Sequence, residues 1–94
     1  MAVVIVNEIE GADQAFYDQV NPKVMEGGSL PEGCQLHIAG PFEKGWRVIT
    51  VWDSEEQFQQ FRDEKLIPAI REIGGEERIA PHISAEPVHN LITA

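Results

Sequence analysis

The feature that most constrains the fold is a set of strand-forming segments without polar alternation. Residues 2–8 contain four consecutive β-branched side chains, and residues 46–52 place Val48 beside Ile49. Successive side chains of a strand point to opposite faces, so these strands present apolar groups on both faces of a sheet. Isoleucine (10 residues) and valine (8) outnumber leucine (4), which favours strands over a helical bundle. Such a sheet requires other parts of the protein, or a partner, to pack against both of its faces.

Two helices are predicted between the strands. The first begins after Asp13, whose carboxylate can cap the first turn, and it carries an apolar residue at every fourth position from Phe16. The second follows residues 53–57, Asp-Ser-Glu-Glu-Gln, which have the spacing of a capping box. We expect Pro22 to kink or restart the first helix. We expect Pro68 to divide the second helix into two pieces and to lie in the first turn of the second piece.

The remaining segments complete a recognisable order of elements. Residues 34–39 and 46–52 form two extended runs joined by a turn-rich connector, as in a hairpin, and residues 81–92 form a final extended strand with Pro87 at a bend or edge. The order strand-helix-strand-strand-helix-strand predicts one α+β domain over residues 1–94. Its fold is the ferredoxin-like βαββαβ arrangement with a four-stranded antiparallel sheet.

The second face of this sheet predicts a partner. Right-handed crossovers place both helices on one face, which leaves the other face apolar and bare. A chain this short buries only about 65% of its unfolded surface, so its own core is small. We therefore expect a homodimer in which two sheets pack face to face and form a dimeric α/β barrel.

Composition narrows the classes of partner. The chain has 7 basic and 16 acidic residues, a formal net charge of −9, which disfavours binding to nucleic acid or to an anionic membrane surface. A single cysteine suits a reducing compartment, and neither a signal peptide nor a run of about 20 apolar residues is present. We expect a cytoplasmic protein.

One segment resembles a known family. Residues 48–58, Val-Ile-Thr-Val-Trp-Asp-Ser-Glu-Glu-Gln-Phe, are similar to the dimeric α/β-barrel superfamily and, within it, to the antibiotic-biosynthesis-monooxygenase-like group. The resemblance implies the fold and the dimer. It also implies a range of activities, since that group includes cofactor-independent monooxygenases acting on polycyclic aromatic substrates, haem-degrading enzymes and small proteins without a known reaction.

The haem-degrading branch fits this sequence poorly. Asn7 matches the asparagine that its members carry late in the first strand, but the positions of their tryptophan and iron-binding histidine fall on Phe61 and Arg71. A guanidinium offers no lone pair to iron. The sequence also lacks the glycine-rich motifs that bind nucleotide cofactors. We therefore expect no cofactor.

A metal site within one chain is also disfavoured. Cys34 and His37 are three residues apart, and His82 and His89 are seven apart, so in regular strands each pair points to opposite faces. A site shared between two copies stays open.

Two polar residues within apolar strands are candidate catalytic residues. His37 lies between Leu36 and Ile38, where a neutral imidazole could accept a proton from a phenolic substrate. Asn7 could hold an oxyanion or a dioxygen species through its amide. Alternatively, His37 faces solvent on an edge strand, and Asn7 only ends its strand.

Five further residues are candidates for binding a flat aromatic ligand. Trp46 and Trp52 share a strand face and could clamp such a ligand, Tyr17 and Arg47 could orient a phenolate, and His89 could contribute from the last strand. Each has a simpler alternative as a packing, surface or interface residue.

Two functions stay open at this stage. One is an enzyme, a cofactor-free monooxygenase that oxidises a flat aromatic or polyketide-type substrate. The other is a non-catalytic dimeric module that binds a small ligand or has a regulatory role. A cavity lined by His37, Asn7 or a tryptophan favours the first, whereas one filled by Phe16, Phe58 and Phe61 favours the second.

Overall fold

The chain folds into a four-stranded antiparallel sheet with its helices on one side. A computed structural model describes residues 1–75 and 82–93. In chain order the elements are β1 (Val3–Glu10), α1 (Gln14–Val24), a 3₁₀ turn (Glu26–Gly28), β2 (Cys34–Phe42), β3 (Gly45–Trp52), α2 (Glu55–Phe61), a π-helical turn (Arg62–Leu66), α3 (Ile67–Glu72) and β4 (His82–Pro87). The sheet order is β2-β3-β1-β4. The predicted ferredoxin-like α+β fold is confirmed.

Side-chain caps start both helical segments where the sequence indicates. Asp13 accepts a hydrogen bond from the backbone N–H of Phe16 at 2.9 Å, and Ser54 accepts one from the N–H of Gln57 at 3.2 Å. These bonds satisfy N–H groups that have no partner within the helix. The hairpin between β2 and β3 is tighter than predicted, because the strands continue until only two residues, 43 and 44, connect them.

Strand register separates the two faces of the sheet. Ile5 pairs with Thr50, and Thr50 pairs with His37, so these three residues share one face. This face packs against the helices: Ile5 and Trp52 form a fully buried cluster with Phe58. A second buried cluster joins α1 to α3 through four residues, Val20, Val24, Ala69 and Ile70.

A β-bulge corrects one prediction from the sequence. The register shifts between Cys34 and Leu36, so Cys34 pairs with Trp52 while His37 pairs with Thr50. Since Trp52 and Thr50 are two residues apart on β3, Cys34 and His37 lie on the same face rather than on opposite faces. The rule of alternating faces could not reveal this, because it assumes a regular strand. The number of residues between Cys34 and His37 does not show that one of them is the extra residue of a bulge.

The helices and the last strand differ from expectation at their ends. Helix α1 runs through Pro22 to Val24 without restarting, because Pro22 stands in the last turn and is exposed there. Pro68 lies in the first turn of α3, as predicted, but a π-helical turn joins α3 to α2. Strand β4 ends at Pro87, and residues 88–93 lie outside the sheet strands, whereas Pro81 falls outside the described residues.

No helix within residues 1–75 and 82–93 combines the length and the apolar character needed to cross a membrane.

Candidate functional site

A small cavity lies between the helices and the inner face of the sheet. Its volume is about 70 Å³ and its lining is almost wholly apolar and aromatic. Strands β1, β2 and β3 provide the floor, and α1, α2, the π-helical turn and α3 provide the roof. The lining residues include Asn7, Phe16, Tyr17, Val24, His37, Trp46, Thr50, Trp52, Phe58, Phe61, Leu66 and Ile70.

Tyr17 and His37 form a hydrogen bond at this cavity. The Tyr17 hydroxyl is 2.6 Å from Nε2 of His37, and the two ring centroids are 5.9 Å apart. Burial lowers the pKa of His37 below its usual value of 6.5. Burial, and secondarily the nearby Asp18 carboxylate, raises the pKa of Tyr17. Both groups are therefore neutral near pH 7, and the tautomer of His37 decides which of the two donates in the bond between them.

Three buried polar atoms beside the cavity lack a hydrogen-bond partner among the residues that the structure describes. They are Oδ1 of Asn7, Nδ1 of His37 and Nε1 of Trp46. Asn7 is 7% exposed. Leaving such a group unpaired costs about 1–3 kcal/mol, which is why most buried polar atoms in folded proteins find a partner. These three atoms are therefore the polar groups of the cavity region that could form hydrogen bonds with a ligand.

The two tryptophans have different surroundings. Trp52 is 1% exposed, and its indole N–H donates to Oγ1 of Thr50 at 2.9 Å. Its ring packs between Phe58 and Phe61, with centroid separations of 5.8 and 5.1 Å. Trp46 instead lies 5.5 Å from the ring of Tyr17 and keeps its N–H unpaired among the described residues. Trp52 is therefore a core residue that also forms a cavity wall, whereas Trp46 has a donor available to a ligand.

The structure does not bring Arg47 or His89 to the cavity. Arg47 pairs with Glu8 in register, on the face opposite the helices, and binds its carboxylate at 2.8 Å. Its guanidinium also lies 5.0 Å from the centre of the Phe42 ring. His89 follows the end of β4 and is exposed. Strand alternation explains the first placement, and the early end of β4 explains the second.

The sequence did not predict the contact between Tyr17 and His37, although each residue was a separate candidate. They are 20 residues apart, on a helix and a strand, and only the packing of α1 on β2 joins them. The available signal was that Tyr17 lies three positions before Val20, next to the buried stripe of α1. The contribution of Thr50 to the cavity was also missed, whereas Phe61 was among the rings expected to fill it.

The described part of the chain contains no group of three or more histidine, cysteine, aspartate or glutamate side chains that could hold a metal ion.

Together these features define a class: a ferredoxin-like α+β protein with an aromatic-lined cavity between its helices and its sheet. Among solved structures, the chain is similar to the crystal structure of a protein described as "putative Antibiotic biosynthesis monooxygenase from Chloroflexus aurantiacus J-10-fl". The two share 18% sequence identity, a TM-score of 0.62 and coverage of 97% of both chains. No protein-family model and no curated protein matches the sequence. The resemblance to the antibiotic-biosynthesis-monooxygenase-like group is thus confirmed at the level of the fold.

Proposed function

We propose that this protein is a small enzyme that oxidises a flat, hydroxylated aromatic compound with dioxygen and without a cofactor. The observation that carries the proposal is a set of three atoms, on Asn7, His37 and Trp46, around an otherwise apolar cavity. None of them has a hydrogen-bond partner within residues 1–75 and 82–93. An apolar pocket with a few convergent polar groups is the usual form of a small-molecule site. The apolar walls suit an aromatic frame, and the polar atoms suit its oxygen substituents.

His37 is the proposed base. Its lowered pKa keeps the imidazole neutral near pH 7, which is the form that accepts a proton. The hydrogen bond to Tyr17 at Nε2 holds the ring in place and can carry the proton away from the substrate. Which nitrogen bears the proton depends on the tautomer.

Asn7 and Trp46 are the proposed holders of substrate oxygen atoms. The indole N–H of Trp46 can donate to a carbonyl or phenolate oxygen, and Oδ1 of Asn7 can accept from a hydroxyl group. If the amide turns, its nitrogen donates to an oxyanion instead. The two residues lie on neighbouring strands, with Asn7 paired opposite Val48 and Trp46 opposite Ile9. They can therefore hold two oxygens of one ligand.

The chemistry requires an electron-rich substrate with an activated methylene group. Loss of a proton to His37 forms a resonance-stabilised carbanion, which passes one electron to dioxygen. The substrate radical and superoxide then combine through a new C–O bond, and the resulting peroxide takes the proton back from His37. Loss of water breaks the O–O bond and leaves a ketone. In sum, one methylene group and one dioxygen become one carbonyl group and one water.

The test is oxygen consumption with a panel of anthrones, which carry such a methylene group. We expect turnover by the wild type and a loss of about 100-fold or more in His37→Ala, the usual contribution of a general base. Gln35→Ala is the matched control, because Gln35 is exposed on the same strand. No turnover by the wild type, or equal turnover by His37→Ala, would refute the catalytic assignment.

A specific observation favours a second candidate, a non-catalytic binding module. The cavity of about 70 Å³ is less than half of the ~150 Å³ that holds benzene in an engineered protein cavity. Phe16, Phe58 and Phe61 occupy much of its wall. Calorimetry with 1,8-dihydroxyanthraquinone distinguishes the two: binding without oxygen consumption by any panel compound supports the module.

The homodimer is a further part of this proposal. Val4, Val6, Leu36 and Ile49 are partly exposed on the face opposite the helices, and Ile38 there is 52% exposed. The ion pair between Arg47 and Glu8 stands at the end of the same face. An apolar centre with a polar edge is the usual anatomy of a protein interface.

Sedimentation velocity tests the dimer. We expect the wild type to sediment as a dimer and Ile38→Glu as a monomer, because a charge in an apolar interface is costly. Leu30→Glu is the control, since Leu30 is exposed on a loop rather than on the sheet. A monomeric wild type would contradict the prediction.

A further inference from the structure

The interior cavity is too small for the ligand class proposed above unless one of its walls moves. Its volume of about 70 Å³ falls well short of the ~150 Å³ that accommodates a single benzene ring. A flat aromatic compound therefore has to displace a side chain in order to enter. The position of that side chain determines both the route of entry and the size of ligand admitted.

A groove on the surface lies directly against the cavity. Its volume is about 460 Å³, and it runs between the loop at residues 29–32 and the outer side of α2 and the π-helical turn. Gln57, Gln60 and Glu64 line it. Two residues, Val24 and Phe61, border both the groove and the interior cavity. These two side chains are therefore the partition between the two spaces.

Phe61 is the less enclosed side chain of this partition. Val24 is 7% exposed and belongs to the buried cluster between α1 and α3. Its β-branched side chain has one strongly preferred rotamer in a helix. Phe61 is partly exposed and packs against both buried clusters without being enclosed by either. A rotation of its ring towards the groove would uncover the indole of Trp52, whose ring centre lies 5.1 Å away.

The backbone next to Phe61 departs from α-helical geometry. The N–H of Ile67 bonds to the carbonyl of Arg62, five residues earlier, and the π-helical turn spans Arg62–Leu66 immediately after Phe61. Single π-helical turns within helices occur frequently at functional sites. This π-helical turn contributes Arg62 and Leu66 to the cavity and Glu64 to the groove. It therefore lies along the boundary between the cavity and the groove, as Phe61 does.

We infer that Phe61 is the gate through which a ligand passes from the surface groove into the cavity, and that its size limits which ligands enter. The inference rests on the proposed function in so far as the cavity is a ligand site. In the closed arrangement the ring of Phe61 packs on Trp52 and excludes water. In the open arrangement the groove and the cavity form one continuous space, large enough for a fused aromatic system.

The first test measures access to Trp52 and needs no ligand. The chain has two tryptophans, so Trp46→Phe leaves Trp52 as the sole indole. In that background we expect Phe61→Ala to raise the quenching of Trp52 fluorescence by acrylamide several-fold. Phe16→Ala is the matched control, because Phe16 lines the cavity but not the groove. Unchanged quenching in Phe61→Ala, or an equal rise in Phe16→Ala, would overturn the inference.

The second test measures the rate of entry. Binding of 1,8-dihydroxyanthraquinone is followed by stopped-flow absorbance. We expect Phe61→Ala to raise the association and dissociation rate constants together by about tenfold, with little change in Kd, as expected when a gating step controls both directions. Equal rate constants in wild type and Phe61→Ala would exclude this gate. Phe61→Leu provides a second variant if the alanine variant is unstable.

The two tests separate the gate from the proposed function. If the probe does not bind the wild type while Phe61→Ala still exposes Trp52 to acrylamide, the aromatic ligand class is wrong and the gate stands. If the probe binds and the anthrones are oxidised while both Phe61→Ala results equal those of the wild type, the function stands and the gate is wrong.

Discussion

The hydrogen bond between Tyr17 and His37 offers a direct test of the site geometry. Its length of 2.6 Å joins helix α1 to the edge strand β2, and it is partly buried. A neutral hydrogen bond of this kind contributes about 1 kcal/mol to stability. Tyr17→Phe removes only the hydroxyl and leaves Nε2 of His37 unpaired, so we expect the free energy of unfolding to fall by about 1–2 kcal/mol. For a domain of this size, each kcal/mol corresponds to a decrease of roughly 4–8 °C in Tm.

A double-mutant cycle isolates the contribution of the pair. The variants are Tyr17→Phe, His37→Leu and the double variant, each unfolded in urea and followed by circular dichroism at pH 7.5. We expect the double variant to be about 1 kcal/mol more stable than the sum of the two single effects predicts, because the second substitution removes a bond that is already lost. Gln19→Ala is the control, since Gln19 is exposed on the same helix and should change stability by less than about 0.5 kcal/mol. A coupling energy below about 0.3 kcal/mol would refute the reasoning, because that is the scatter of independent sites.

Three further predictions concern pH, capping and close packing. Because burial lowers the pKa of His37, the unfolded chain binds this proton at a higher pH than the folded chain does. The free energy of unfolding should therefore fall as the pH decreases from 7.5 to 5.5, and it should fall less in His37→Gln, as measured by urea midpoints. Ser54→Ala should cost about 1 kcal/mol in urea unfolding, because it removes the side-chain acceptor for the N–H of Gln57; an unchanged midpoint would contradict the cap. Gly45→Ala should lower the Tm strongly, because its Cβ would collide with a backbone carbonyl of β1. Gly40→Ala is the control, because a Cβ at Gly40 has open space. Equal Tm values in the two variants would contradict the packing.

Local signals in the sequence were sufficient for the elements and their order. Asp13 and Ser54 start their helices where short-range capping rules place them. Those rules depend on residues three apart, so no tertiary information is needed. The last strand was predicted less well: β4 ends at Pro87, and Leu91 and Ile92 are exposed at positions where a strand was expected. An apolar run alone cannot tell a paired strand from an unpaired segment, because pairing depends on the neighbouring strand.

The candidate site shows the same division between what local sequence signals predict and what the tertiary structure decides. The sequence alone shows that Asn7 and His37 are polar residues within apolar strands. For that reason they were predicted as candidate catalytic residues. The tertiary structure decided that both face the helices, that Tyr17 reaches His37, and that Arg47 faces away. A bulge after Cys34 also put Cys34 and His37 on the same face, although the sequence predicted opposite faces. Register and helix packing join residues far apart in sequence, and neither is encoded in any short window.

The sequence by itself determined which segments form strands and which form helices, because hydrophobic periodicity, capping and turn chemistry act over a few residues. Only the tertiary structure decided which polar atoms lie together around a cavity and which ring closes it. Those arrangements arise when α1 and the π-helical turn pack on the inner face of the sheet, since long-range packing sets the distances between side chains.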